Sequence, residues 1–142
     1  MIRIERSALV TRTAQSMYEI VADIEGYPTF LPWCRRAVVH EARGAYLRAT
    51  LGIDFRGMRR EFTTENHNQP FESIDIRLID GPFRSLAGQW RFKSLADNAC
   101  KVELDLAYEF ASPLLERIIG PAFNVIANSL VDAFIRRADA SG

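Results

Sequence analysis

The chain of 142 residues has the length of one ordinary domain, and its composition, 48% hydrophobic and 25% charged, is typical of a globular protein. A chain of this length can bury about two thirds of its unfolded surface, so it needs neither a disulfide framework nor a structural metal to fold. It contains no run of about 18 apolar residues, so we predict no membrane span. The N-terminal "MIRIERSALV" lacks the apolar core of a signal peptide. We expect a single domain over residues 1–142, located in the cytoplasm.

Cysteine and histidine are too few and too widely spaced for a metal site. Cys34 and Cys100 have no CxxC partner, and His40 and His67 have no HxxxH companion. We therefore predict reduced thiols, no metal and no cofactor.

Charge is distributed unevenly, although the net charge is zero. Residues 35–60 carry seven arginines against Glu41 and Asp54, whereas residues 61–142 carry eight basic and twelve acidic residues. Two interpretations stay open. One is a compositional preference for arginine on solvated strand faces, and the other is a surface for an anionic partner such as RNA.

The N-terminal third reads as a strand followed by two short helices. Residues 2–10 are typical of a strand, and Thr13 is a plausible N-cap for the helix "AQSMYEIVAD". The segment "DIEGYPTFLPWC" follows, rich in proline and aromatic residues. Pro28 suits the first turn of a second short helix, "YPTFL", which Pro32 ends.

From residue 35 to 111 the apolar residues recur at every second position. In "CKVELDLAYEF" the even-numbered residues from 100 to 110 face one way and the charged residues mostly face the other. The connections "FRG", "NHNQP", "DGPF" and "ADNA" are short and rich in turn residues, which favours hairpins over crossover helices. The pattern predicts about seven antiparallel strands, counting the first.

A long C-terminal helix completes the chain. It begins at Pro113 with Ser112 as N-cap, carries an apolar stripe from residue 115 to 134, and should kink or restart at Gly120-Pro121. Only this helix is long enough to cover the sheet, so we predict an α+β fold in which a curved antiparallel sheet wraps around it. Several inward positions are small, which is compatible with an apolar cavity or with a solidly packed core; these are Ala45, Ala49, Gly88, Ala122 and Ala127.

The order of elements, "VADIEGYPTFLPWC" (residues 21–34) and "FNVIANSLVDAFIRRA" (residues 123–138) together resemble the START-like, helix-grip superfamily of polyketide cyclase/dehydrase and lipid-transport proteins. Within it the chain is similar to the coenzyme-Q-binding branch, whose bacterial members include ribosome-association toxins of the RatA type. The resemblance covers nearly the whole chain. The first motif is long and unusual, and the second is less specific.

The resemblance implies a hydrophobic tunnel between sheet and C-terminal helix, with its mouth at residues 27–34. The implied ligand is a hydrophobic small molecule, a lipid or a polyisoprenoid quinone of the ubiquinone type. An alternative is that Phe30, Leu31 and Trp33 only plug the open end of the sheet. The residues expected to contact ligand are Phe30, Leu31 and Trp33 at the mouth, Trp90, Phe92, Leu104, Leu106 and Tyr108 on the sheet, and Phe123, Ile126, Ala127, Leu130 and Phe134 on the helix.

Two functions follow from this resemblance. The first is a quinone carrier that supports respiration, with transient contact to the surface of the inner membrane. The second is a toxin that binds the large ribosomal subunit and blocks subunit association, to which Arg48 and Arg59 would contribute from the solvated sheet face. No clustered acid–base pair is evident, so we expect no polyketide-cyclase-like enzyme. Arg60 falls on the inward side of its strand, where it either meets a quinone carbonyl or extends to water.

Overall fold

The order of elements predicted from the sequence is confirmed. A computed structural model describes residues 1–140; residues 141 and 142 of the predicted domain lie outside the described residues. The elements in chain order are β1 (Ile2–Val10), α1 (Ala14–Ala22), a short 3₁₀ helix (Ile24–Thr29), β2 (Cys34–Arg43), β3 (Tyr46–Phe55), β4 (Met58–Gln69), β5 (Ser73–Asp80), β6 (Phe83–Ala96), β7 (Ala99–Phe110) and α2 (Pro113–Ala140).

The seven strands form one antiparallel sheet, as predicted, in the order β1-β7-β6-β5-β4-β3-β2. Strands β2 to β7 follow one another as hairpins, and β1 pairs with β7 over its whole length, from Ile2 opposite Tyr108 to Val10 opposite Cys100. The inner face carries the apolar residues of each strand. Cys34 and Cys100 are free thiols in this core, and burial raises the pKa of both.

The N-terminal helices begin where local hydrogen bonding dictates. Thr13 caps α1, because its hydroxyl accepts a hydrogen bond from the backbone N–H of Ser16 at 3.1 Å. The second helix starts at Ile24, three residues before the predicted "YPTFL", and holds Pro28 in its interior. The hydrogen bonds at the two ends of this helix run from Gly26 N–H to the Asp23 carbonyl and from Phe30 N–H to the Tyr27 carbonyl, and neither needs an N–H at residue 28.

Helix α2 covers the inner face of the sheet. Ser112 caps it, accepting the N–H of Leu115 at 3.1 Å, and the helix continues through Gly120 and Pro121 instead of restarting there. Its length and mean hydropathy of 1.5 would suit a membrane-spanning helix, but a helix that packs on a sheet in a protein core has the same properties. Most of its apolar stripe, from Ile119 to Phe134, is buried against the sheet, which is the covering role the sequence predicts, whereas Ile118 is 56% exposed.

Aromatic rings hold α2 to the sheet at two points. About three turns into the helix, Phe123 lies 4.9 Å from the rings of Phe83 and Tyr108, measured between centroids. We call the rings around this residue, which also include Phe62 and Phe110, the Phe123 cluster. About three turns later, Phe134 lies between 5.3 and 5.6 Å from the rings of Tyr27, Phe30 and Trp90, which form the Phe134 cluster. The core therefore has two aromatic supports with a gap between them.

Two of the small residues predicted to point inward, Ala45 and Gly88, have different surroundings in the structure. Ala45 is exposed at the β2–β3 turn, beside Gly44 with φ +55°, so its predicted inward orientation was wrong. The period of two does not extend into a turn. Gly88 lies on β6 where a Cβ atom would stand 2.8 Å from Leu106 Cδ1 and 3.1 Å from the Asp105 carbonyl oxygen.

Replacing Gly88 with alanine should destabilise the fold by about 1–3 kcal/mol, because the added methyl overpacks against Leu106 and a fixed carbonyl. At an unconstrained strand position the same change would stabilise by roughly 0.5–1 kcal/mol. Urea unfolding measures the difference. Ala87→Val, on the exposed outer side of the same strand, is the control and should stay within about 0.5 kcal/mol of wild type. An unchanged midpoint for Gly88→Ala would contradict the close packing described.

Candidate ligand-binding cavity

An apolar cavity lies between the two aromatic supports, under the middle of α2. Its volume is about 100 Å³. Its floor is formed by strands β3 to β7, its roof by α2, and one end by the 3₁₀ helix and by Trp33, which precedes β2. The lining residues are Ile24, Tyr27, Trp33, Ala49, Leu51, Ile53, Phe62, Thr64, Asn66, Ile76, Leu86, Trp90, Leu106, Phe123, Ile126, Ala127, Leu130 and Phe134.

The cavity wall carries little polarity. Among the described residues, no Asp, Glu, His, Lys or Arg side chain lines it. The Tyr27 hydroxyl donates to the Val21 carbonyl oxygen at 2.5 Å, and burial raises the pKa of this phenol far above its usual range, so it stays protonated. Thr64 and Asn66, neighbours on the inner face of β4, bring a hydroxyl and an amide to the floor, and Trp90 on β6 adds an indole ring. Within residues 1–140, no three His, Cys, Asp or Glu side chains cluster as metal ligands would.

An open groove adjoins the cavity on the outside of α2. It has a volume of about 360 Å³, and Phe30, Leu31 and Phe55 line it together with the last four turns of the helix. Trp33 and Ile126 line both spaces, so they form the wall between them. Movement of these two side chains would join groove and cavity into one slot.

Eight of the predicted contact residues line the cavity. They are Trp33, Trp90, Leu106, Phe123, Ile126, Ala127, Leu130 and Phe134. Phe30 and Leu31 face the groove instead: Leu31 is only 1% exposed, and Phe30 packs on Phe134 with the guanidinium of Arg137 over its ring at 5.1 Å. The residues predicted at the mouth thus close the end of the cavity and also form the floor of an outer groove.

Three predicted contact residues point inward but miss the cavity. Phe92 lies against Tyr18 of α1, with ring centroids 5.8 Å apart, and Leu104 is buried on β7 opposite Trp90. Tyr108 belongs to the Phe123 cluster, where its hydroxyl donates to Asn124 Oδ1. The placement of these three at the cavity was wrong because alternation predicts which face of the sheet a residue occupies, and not what covers that part of the face.

Sequence reasoning missed the two polar residues of the floor. Alternation along β4 continues from Met58 through Phe62 and Thr64 to Asn66, so the inward position of Asn66 was readable from the same pattern. Ala49 lies directly opposite Thr64 on β3, and its small side chain leaves room above the pair. The signal was an amide at an inward strand position.

The two arginines predicted to face RNA occupy different surroundings. Arg48 is half-buried on the outer face of β3, opposite Glu41 and Glu65 on the flanking strands. Arg59 is exposed and pairs with Asp54 at 3.2 Å. Both lie off the inner face, as their strand positions predict.

A basic cleft lies beside Arg59. Arg35, Arg59 and Arg60 line it together with Gly81, Pro82 and Leu115, and Glu61 binds Arg36 at 2.8 Å on its edge. Arg60 is exposed in this cleft, so it extends to water and does not enter the core.

The family follows from a match over most of the chain. Residues 10–135 match the model of the polyketide cyclase/dehydrase and lipid transport family. The chain belongs to this family. A relative in Pseudomonas aeruginosa, described as ribosome association toxin RatA, is 42% identical over 95% of this chain and 94% of that protein.

Two further proteins are similar to the chain, one in sequence and one in fold. A Xenopus laevis protein described as a mitochondrial coenzyme Q-binding protein, COQ10 homolog B, is 28% identical over 96% of the chain and 58% of that protein. A START superfamily protein from Mycobacterium smegmatis has the same fold, with a TM-score of 0.82, 18% identity and 99% coverage of both chains.

Tyr108 should contribute to stability and not to ligand binding, because its hydroxyl lies outside the cavity. Burial raises its pKa to about 12, so it donates to Asn124 throughout the physiological range. Tyr108→Phe removes the donor and should reduce the free energy of unfolding by about 0.5–1.5 kcal/mol. Tyr46→Phe, which removes a hydroxyl bound to Glu65 on the outer face, is the matched control and should cost less. A large loss of ligand affinity in Tyr108→Phe would contradict this placement.

Proposed function

We propose that the protein is a non-enzymatic carrier of a hydrophobic small molecule with a ring head and an apolar tail, of the polyisoprenoid quinone type, supporting respiration. The observation that carries this is the uncharged, largely apolar cavity under α2. Ligand sites in proteins are usually apolar spaces with a few polar groups that fix orientation, which describes this wall. General acid–base catalysis needs a titratable group in contact with the substrate, and within the described residues no carboxylate, imidazole or amine lines the cavity. The phenol of Tyr27 does line it, but this hydroxyl donates to the Val21 carbonyl oxygen.

The size of the cavity indicates how such a ligand would sit. A dry apolar cavity of about 150 Å³ can accept a benzene ring, whereas drug-sized ligands occupy about 300–1,000 Å³. A space of about 100 Å³ therefore suits the ring only after slight expansion. The tail would occupy the groove of about 360 Å³, once Trp33 and Ile126 separate. Each buried methylene contributes about 0.8 kcal/mol, so affinity should rise with tail length until the groove is full.

The groove is also suited to taking up the ligand from the cytoplasmic surface of a membrane. Val125 is exposed on the outer face of α2, and Arg136 lies on the rim of the groove. An apolar surface beside a cation is favourable at an anionic bilayer. Transient contact with the inner membrane is thus part of the proposal.

Quinone binding should quench the fluorescence of Trp33 and Trp90, since both line the cavity. We expect a saturable response to short-tailed quinones in wild type. Ala127→Phe fills the space under α2 and should weaken binding at least tenfold while circular dichroism shows the fold intact. Ala87→Phe places the same added ring on the outer sheet face and serves as the control. No saturable response in wild type would contradict the carrier function.

A second candidate function is association with the large ribosomal subunit and interference with subunit joining. The relative described as ribosome association toxin RatA, 42% identical over nearly its full length, supports it. The basic cleft offers a surface for phosphate: four arginines, Arg35, Arg36, Arg59 and Arg60, stand against the carboxylates of Glu61 and Asp54.

Charge reversal in the cleft should test this second function. Arg59→Glu combined with Arg60→Glu should reduce co-sedimentation with purified large subunits at least tenfold near 0.1 M salt. The slope of log affinity against log salt concentration should become shallower by about 0.7–0.9 for each phosphate contact that is lost. Arg48→Glu should act more weakly, because Glu41 and Glu65 already flank that position.

The matched control is Arg91→Glu combined with Lys93→Glu, exposed residues of β6 that change the net charge by the same amount. Equal losses in both double variants would mean that net charge, and not the cleft, governs co-sedimentation. Binding that is indifferent to both the cleft variant and salt would exclude the cleft as the contact surface.

A further inference from the structure

The floor of the cavity holds a polar pair on β4, Thr64 and Asn66. Asn66 is 6% exposed and Thr64 is 7% exposed, and both line the cavity. In the sheet, Asn66 lies between Leu47 on β3 and Ile76 on β5. Its amide therefore ties no neighbouring strand through a side-chain hydrogen bond. Asparagine is also disfavoured in strands, where β-branched and aromatic residues pack better.

One donor group of the pair, Asn66 Nδ2, has no hydrogen-bond acceptor among the described residues. The Thr64 hydroxyl donates to Asn66 Oδ1 at 3.2 Å, which uses the acceptor side of the amide. Asn66 Nδ2 is not among the fully enclosed polar atoms without a partner, which in the described residues are Asn68 Oδ1 and Ser85 Oγ, so it keeps some accessible surface. A donor in such a space usually bonds to water or to a ligand.

The surroundings define what that partner looks like. Ala49, opposite Thr64, leaves space over the pair, and the rest of the nearby wall is apolar. A ligand that satisfies the amide must therefore bring an acceptor oxygen on an otherwise apolar body. An ion would lose its hydration here without a counter-charge, because no charged side chain among the described residues lines the cavity.

We propose that Asn66 Nδ2 donates a hydrogen bond to a carbonyl oxygen on the ring of the ligand, and that Thr64 holds the amide in the orientation that presents this donor. This inference rests on the proposed carrier function and specifies its ligand as one with a ring carbonyl. The ring lies on the β3–β5 side of the cavity. The tail leaves past Trp33 and Ile126 into the groove.

The test compares two ligands that differ only in the carbonyl groups: an alkyl-1,4-benzoquinone and the alkylbenzene with the same tail. Asn66→Leu keeps a side chain of similar size and removes the donor. We expect quinone affinity to fall about five- to tenfold, the value of one lost hydrogen bond, while alkylbenzene affinity stays the same or rises. Displacement of an environment-sensitive fluorophore reports both ligands in one assay.

Two further measurements distinguish a role of Asn66 in ligand binding from a purely structural role. Asn66→Leu combined with Thr64→Val should unfold at the same or a higher urea concentration than wild type, because it removes the amide without leaving the Thr64 hydroxyl short of its acceptor; a structural role predicts the opposite. In wild type, the Asn66 side-chain amide proton resonances should move downfield with quinone and not with alkylbenzene. That NMR measurement needs no variant, so it decides the matter even if Asn66→Leu does not fold. Thr64→Val should lower quinone affinity less than Asn66→Leu does.

The outcomes separate this inference from the carrier function. If Asn66→Leu lowers the affinity for both ligands equally, or for neither, or if the amide protons of wild type do not respond to quinone, the polar anchor is wrong and the carrier function stands. If wild type binds neither ligand, the carrier function fails and the anchor fails with it.

Discussion

The contacts of Phe123 and Phe134 with the rings of the sheet set the distance between α2 and the strands. Two aromatic clusters, about 16 Å apart along the helix, lie between α2 and the sheet and hold the two layers apart. Between them the facing residues include Ala49 and Ala127, which are too small to fill the gap. The cavity follows from this arrangement: large side chains at both ends hold the layers apart, and small ones in the middle leave the space open.

An open space of this kind opposes stability. At roughly 24 cal/mol per Å³, a void of about 100 Å³ costs on the order of 2 kcal/mol, a noticeable fraction of the stability of a domain. Replacing Ala127 by a larger residue is a simple way to fill it. The Nδ2 group of Asn66, which has no acceptor among the described residues, lies at the wall of the same space. A ligand with an apolar body and one acceptor oxygen would fill the void and bind this donor, which favours a binding function over a packing defect.

The segment "DIEGYPTFLPWC" has a structural explanation in these supports. Tyr27 and Phe30 pack on Phe134, while Trp33 forms the wall between cavity and groove. Pro28 and Pro32 restrict the backbone between these rings, which reduces the conformational freedom lost on folding. A flexible loop with the same aromatic residues would collapse into the empty space. The prolines keep the rings at the end of the cavity.

The sequence predicts elements well here because each has a clean period, and it predicts the site only in part. Alternation from residue 35 to 111 determines which side chains point inward, so Trp90, Leu106 and Thr64 could be placed on the inner face. It carries no information on which part of that face lies under α1, under an aromatic support or under the gap. Phe92 and Tyr108 were misplaced for that reason. Asn66 is uncharged, so a list of inward ionisable residues does not include it, although an amide at an inward position is also a sign of a binding site.

The two candidate functions use opposite ends of α2. The basic cleft includes Leu115 in the first turn, whereas the groove runs from Val125 to Ala140. An anionic partner and a ligand could therefore bind together without touching. Any influence of one on the other would have to pass through the position of α2 on the sheet, which a ligand changes only if it binds the shifted helix more tightly than the resting one. Such coupling is reciprocal: a ligand that alters ribosome affinity must have its own affinity altered by the same factor.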